Sequence, residues 1–230
     1  MAYTGGKGNC FRRIIGVMPQ HVTYIETHLG GGAVMLNKRP ARRQIGVDAD
    51  QAVISRWRDG GRAPCELVCA DAVDFLKSYP FDGSELVYSD PPYPRVRQTS
   101  RRIYRYDYAE IDHEHLLDTL LGLPCAVMVS GTDTPTYARR LAGWRRIEFT
   151  AGARKGIREE VVWANFDTRA PLHDPRYRGE GFRDRERLKR KFSTLTRRIE
   201  NLPPTELAVF AEWFSERYAN ELAATGGGGG

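Results

Sequence analysis

The stretch Val22-Thr23-Tyr24-Ile25-Glu26-Thr27-His28-Leu29-Gly30-Gly31-Gly32-Ala33 decides how this chain folds. Its opening residues are β-branched or aromatic, the composition of a short strand. Three glycines end that strand, and the pattern over 32–38 then reads as a helix. Glycines at a strand-to-helix turn let the backbone approach a ligand closely, and the helix amino terminus favours a carboxylate or phosphate. A dinucleotide fingerprint starting at Gly30 requires Gly or Ala at position 35, where Met35 stands, so a nicotinamide dinucleotide is disfavoured.

Outward from this turn, positions 21–166 alternate β-rich runs with helical patterns, the signature of a mainly parallel sheet covered by helices. Strands are predicted at 22–26, 44–48, 66–70, 86–89, 126–130, 144–150 and 160–166, and helices at 32–38, 50–58, 72–79, 112–121 and 136–142. Only residues 151–158 separate the last two strands, too few for a helical crossover, so these strands are expected to pair antiparallel. The fold class is therefore α/β, a Rossmann-like seven-stranded sheet ending in an antiparallel hairpin. Beyond it, Leu188, Phe192, Leu195 and Ile199 recur at helical spacing. Pro203 and Pro204 break the run, and Leu207, Phe210, Ala211 and Phe214 restart it. The expected layout is a domain at 1–166, a basic helical extension at 167–225, docked on the core or on a partner, and a disordered glycine tail at 226–230.

The chain has 230 residues, 41% hydrophobic and 28% charged, the balance of a folded globular protein. No apolar run approaches the roughly 18 to 20 residues that span a bilayer, and the first ten residues lack the pattern of a signal peptide, so a cytoplasmic protein with no membrane contact is expected. Cys65 and Cys69 have no second ligand pair at zinc spacing, and no metal is expected. His113 and His115, two apart at a helix start, read as surface histidines. Ser130-Gly131 lacks the flanking glycine of a nucleophile elbow. Thirty-five basic residues against 29 acidic give a net charge of +6. Five arginines and no acid lie between Arg95 and Arg105, and ten basic residues lie between Arg176 and Arg198, both interleaved with aromatics. Two such clusters flanking one core point to phosphate contact.

The sharpest chemical signal is Ser89-Asp90-Pro91-Pro92-Tyr93 at the end of a predicted strand, where open sheets bind ligands. Two prolines hold the chain in a stiff extended turn and donate no backbone hydrogen bond, so Asp90 and the Pro91 carbonyl face outward. A carboxylate, a carbonyl and a stacking Tyr93 match an exocyclic amine on a flat ring, adenine or cytosine. Two further acids, Asp48 and Asp71, end the second and third strands. Asp48 is placed to accept ribose hydroxyls, and either acid could instead cap a helix.

Gly5-Gly6-Lys7, the glycine turn from Glu26 to Ala33, Asp48, Asp71 and Asp90-Pro91-Pro92-Tyr93, in this order, resemble the Dam-type adenine-specific DNA methyltransferases, which use S-adenosylmethionine. By that resemblance Tyr3 and Lys7 help hold the methionine end of the cofactor, the motif acid Glu26 belongs to the cofactor site, Gly30 and Gly32 line it, Asp48 takes the ribose and Asp71 the cofactor's adenine. Asp90, Pro91, Pro92 and Tyr93 receive a flipped target adenine. The implied partner is duplex DNA, with RNA adenine methylation, cytosine methylation or a non-catalytic nucleic-acid-binding regulator on the same fold as alternatives.

The chain departs from the family pattern at Thr27 and His28, where Pro and Phe are usual. Only 57 residues separate Gly32 from Asp90, and two strand-helix units consume them, leaving no room there for a recognition insert. Sequence reading is therefore expected from the Arg95 to Tyr108 loop, the Arg154 hairpin or the helical tail. The expected DNA contacts are Arg95, Arg97, Arg101, Arg102 and Arg105, with Arg187, Arg190 and Lys191 as the second group.

Overall fold

The computed structural model describes residues 10–61, 63–92, 108–153, 156–168, 171–177 and 182–219. Seven strands form one sheet: β1 (Thr23–Glu26), β2 (Arg43–Asp48), β3 (Glu66–Cys69), β4 (Glu85–Ser89), β5 (Ala126–Gly131), β6 (Arg145–Ala153) and β7 (Gly156–Ala164). Their order is β3-β2-β1-β4-β5-β7-β6. The first five run parallel, and β7 is antiparallel to both β5 and β6. The expected sheet and its terminal hairpin are both present. The hairpin is longer than its sequence suggests, because pairing continues out to Ala153 opposite Gly156.

The connecting helices are α1 (Phe11–Ile15), α2 (Ala33–Asn37), α3 (Gln51–Asp59), α4 (Ala72–Ser78), α5 (Glu110–Leu121) and α6 (Pro135–Arg140). Each predicted helix appears within a few residues of its expected bounds. Helix α1, five residues long, is too short for periodicity to reveal, yet it buries Phe11, Ile14 and Ile15. Local chemistry sets the helix starts. Asp50 caps α3 through the Ala52 amide, Asp71 caps α4, Thr134 caps α6 ahead of Pro135, and Asp112 reaches back to the Ala109 amide at 2.7 Å. Among the described residues no helix is long and apolar enough to cross a membrane.

The core explains why β1 and β4 sit at the centre. Ile25 is level with Ile45 on one side and Val87 on the other, and Val87 is level with Val127. Leu76, Leu116, Leu117 and Leu120 cover these strands. Every residue of β1 and β4 is buried, so both read as continuous runs rather than alternations. The chain moves from β1 outward to β3 and then crosses to β4 on the other side of β1. This reversal opens a crevice at the carboxyl ends of β1 and β4.

The first compact unit runs past the expected boundary at 166 to Pro175. The returning segment is bonded to it: Pro19 pairs with Leu172, the His173 amide donates to the Met18 carbonyl, and the Arg39 amide donates to Asp174 at 2.8 Å. The second unit begins at Arg176 and holds α7 (Phe182–Glu200) and α8 (Pro204–Arg217), the two helices expected in the tail. The glycine tail lies outside the described residues.

Candidate active site

The crevice is built first by the glycine turn. Gly30 and Gly32 have φ of +46° and +58°, the left-handed region that favours glycine. A Cβ on Gly32 would lie 2.3 Å from the Trp57 ring. The Trp57 indole N–H donates to the Gly30 carbonyl at 3.0 Å. From the neighbouring strand, Asp48 accepts the Gly30 amide at 2.8 Å and, through its other oxygen, the Asp50 amide at 2.9 Å. Asp48 therefore staples the turn to the end of β2, and each oxygen keeps a further lone pair. Burial pushes its carboxyl above the usual range, and the two amides offset part of that.

Glu26, at the last position of β1, is only 3% exposed. The Tyr24 hydroxyl donates to it at 3.0 Å. Burial pushes its carboxyl up to about 8; the charge of Asp90 adds to the rise, while Tyr24, the Met35 amide and Lys38 oppose it. Below this carboxyl, buried Lys38 donates to Gln44 Oε1 and the Arg39 carbonyl, both at 2.8 Å, and lies over the Tyr24 ring. Burial draws its ammonium down to about 7.

Across the crevice, Asp90 is half-buried at the end of β4, followed by buried Pro91 and half-buried Pro92. Its charge is felt at Glu26, Tyr24 and Tyr137. Asp71 closes the far side after β3, where it spends Oδ1 on the Val73 and Asp74 amides at 2.8 and 3.2 Å. The helix-cap reading of Asp71 thus holds geometrically. Glu26, Gly30, Gly32, Asp48, Asp71, Asp90, Pro91 and Pro92 all lie along one edge of the sheet, at strand ends or in the turns directly after them. Tyr3, Lys7, Tyr93, Arg95, Arg97, Arg101, Arg102, Arg105 and Arg154 lie outside the described residues. Arg187, Arg190 and Lys191 stand exposed on α7, in the second unit.

Three residues of this edge escape a sequence reading. Trp57 anchors the turn from within α3. His28, which stands where the resembled family usually has Phe, links three hydroxyls: Nδ1 lies 2.9 Å from Thr27 Oγ1 and 3.4 Å from Ser89 Oγ, and Nε2 lies 3.0 Å from the Tyr108 hydroxyl. Burial and the nearby His113 draw the His28 imidazole down to about 3, so it is neutral at physiological pH. His113 corrects an expectation. It is 1% exposed, not a surface group, and Nδ1 meets the Tyr137 hydroxyl at 2.9 Å. His115, two residues on, is exposed as expected. The only signal for His113 in the sequence is its place on the same face as Leu116, Leu117 and Leu120 of α5.

No protein-family profile and no curated protein sequence matches the chain. Solved structures similar to it include the 23S rRNA methyltransferase ErmE, with 15% identity and a TM-score of 0.46 over 96% of this chain and 89% of that one. The O-methyltransferase TomG of Streptomyces achromogenes, solved with SAM, has 15% identity and a TM-score of 0.47 over 70% of this chain and 80% of that one. A dimethyladenosine transferase of Plasmodium falciparum has 13% identity and a TM-score of 0.43 over 67% and 59%. These are likenesses of chain path at low identity. The Dam-type resemblance rests on the motifs of this chain.

Proposed function

We propose that this chain is a site-specific DNA adenine methyltransferase that uses S-adenosylmethionine and methylates the exocyclic amine of a flipped adenine. The observation that carries the reading is the meeting of a left-handed glycine turn after β1 with Asp90-Pro91-Pro92 after β4, at the place where the order of the parallel strands reverses.

The residues of the crevice fit the cofactor. The turn offers backbone without side chains at Gly30 and Gly32, Asp48 retains acceptor capacity for hydroxyls, and Glu26 is a buried carboxyl suited to an ammonium. Asp71 keeps an oxygen beyond its capping role for an adenine amine. Tyr3 and Lys7 complete this set by the motif resemblance. S-adenosylmethionine, when bound, supplies a methyl group on positively charged sulfur.

The adenine amine is a weak nucleophile because its lone pair is delocalised into the ring. An Asp90 carboxylate oxygen and the Pro91 carbonyl accept its two hydrogens, draw the lone pair out of conjugation with the ring and stabilise the charge that develops on nitrogen. The proton lost from nitrogen passes first to Asp90. Stacking on Tyr93 offsets part of the few kcal/mol needed to take the base out of the duplex. Arg95, Arg97, Arg101, Arg102 and Arg105 grip flanking phosphates or guanine edges, with Arg187, Arg190 and Lys191 as a second contact.

The test is transfer of an isotope-labelled methyl group to duplex DNA, single-stranded DNA and RNA, with the product nucleoside identified by mass spectrometry. N6-methyladenine in duplex DNA is expected. N4-methylcytosine or label confined to RNA reassigns the substrate, and cofactor binding without transfer to any of the three indicates a non-catalytic regulator.

A further inference from the structure

We propose that Tyr108 forms part of the wall of the cofactor crevice and that His28 is the residue that positions its ring. This deepens the proposed function and rests on its assignment of the crevice to S-adenosylmethionine. Tyr108 is half-buried, two residues before α5 and far from the glycine turn in sequence, yet its hydroxyl lies 3.0 Å from His28 Nε2. Its ring stands edge-on to His28 at 5.5 Å and to His113 at 5.3 Å. His113 is in turn held by the Tyr137 hydroxyl. The phenol is thus fixed from both sides, in a position where the charges of Asp71 and Asp48 both reach it. The His28 that holds it belongs to the glycine turn after β1 and lies 3.4 Å from Ser89 Oγ at the end of β4, so the ring stands at the carboxyl edge of the sheet, on the side assigned to the cofactor.

The choice of histidine at position 28 has a physical reason. Its neighbours Thr27, Ser89 and Tyr108 are all hydroxyls, which donate or accept as required, so either neutral tautomer is satisfied. A neutral imidazole can hold Tyr108 without placing a positive charge beside a cationic sulfonium. A phenylalanine there would pack against the ring and leave the hydroxyl without this partner. A flat aromatic wall suits adenine, and a ring held by hydrogen bonding and edge-on contacts loses little freedom when the ligand arrives.

The experiment is calorimetric titration of S-adenosylhomocysteine into the intact protein and its variants, each at a temperature where circular dichroism shows it folded. Tyr108→Ala is expected to weaken binding about tenfold, and Tyr108→Phe, which keeps the ring, about threefold. His28→Ala should match Tyr108→Phe, the double variant should be no weaker than either single one, and His28→Gln, whose amide nitrogen can reach the place of Nε2, should recover most of the loss. If the unaltered protein binds and the variants bind within about twofold of it, the inference is overturned while the cofactor assignment stands. A lower thermal midpoint with unchanged affinity has the same meaning. No binding by the unaltered protein overturns the cofactor assignment and this inference with it. Should Tyr108→Ala fail to fold, Tyr108→Phe and the His28 variants decide the matter.

Discussion

The glycine turn and helix α7 are built in two different ways. At the turn, several groups are committed to protein partners: the Gly30 amide to Asp48, its carbonyl to Trp57, the Leu29 amide to the Val47 carbonyl, and the space beneath Gly32 to an indole. On α7, Arg187, Lys189, Arg190 and Lys191 stand exposed, with Phe192 and Leu195 also open to solvent. The turn is specified by shape, and a single added methyl group disrupts it. Helix α7 is specified by charge, and its side chains can be exchanged one at a time at little cost to the fold. A small ligand needs the first arrangement and a polyanion is served by the second.

The largest expected effect lies beside the turn, at the reacting end of the crevice. Asp90→Ala should reduce methyl transfer by about a hundredfold to a thousandfold or more, while S-adenosylhomocysteine binds within a few-fold of normal. Near-normal turnover, measured as label incorporated per minute at saturating cofactor, would remove Asp90 from the reaction.

Next in size is a stability effect that separates the two units by pH. His21, His113 and His173 are buried. His21 and His173 stack at 3.8 Å, and burial lowers the imidazole of each of the three and of half-buried His28, to about 2 at His21 and about 3 at His28. The unfolded chain binds protons at these residues below pH 6.5, and the folded chain binds them only at lower pH. Their contribution is therefore complete above about pH 6.5 and falls as pH drops, His21 and His28 together accounting for up to about 3 kcal/mol per pH unit near pH 5. Glu26 acts in the opposite sense. Its folded carboxyl is raised to about 8, so its contribution is complete below pH 4.5 and is lost as pH rises toward 8. Urea unfolding at pH 5, 6 and 7.5 tests this, and a flat profile between 5 and 6 would mean the histidines are solvated. Helices α7 and α8 contain no histidine, so the loss belongs to the first unit.

Gly32→Ala sharpens the claim that shape rules at the turn. A strained left-handed alanine against the Trp57 ring should cost about 2 to 4 kcal/mol in urea unfolding, and Trp57→Leu in the same chain should recover part of it by making room. No recovery would mean the backbone conformation alone sets the cost.

The smallest effect is predicted for α7. Replacing Arg190 by Ala should change stability by less than about 0.5 kcal/mol and reduce the slope of log affinity for DNA against log salt by about one unit. An unchanged slope would leave Arg190 as a solvated surface group and put the grip on the arginines that follow Asp90.

Much of the fold was legible because it is local. Strand and helix alternate with clear periods, glycines and prolines mark the turns, and the short connection before β7 forces an antiparallel pair. The acids at the ends of β1, β2 and β4, and Asp71 after β3, could be found for the same reason, since each directly follows or closes a recognisable strand. What only the tertiary structure decided is how those residues are employed. Asp48 and Asp71 each hold backbone amides, His113 is buried where its helix turns to the core, and His28 meets Tyr108 across 80 positions of sequence. Periodicity reports which face of an element is buried. It carries no information about which distant side chain completes a hydrogen bond, because that depends on the order in which the strands assemble in the sheet.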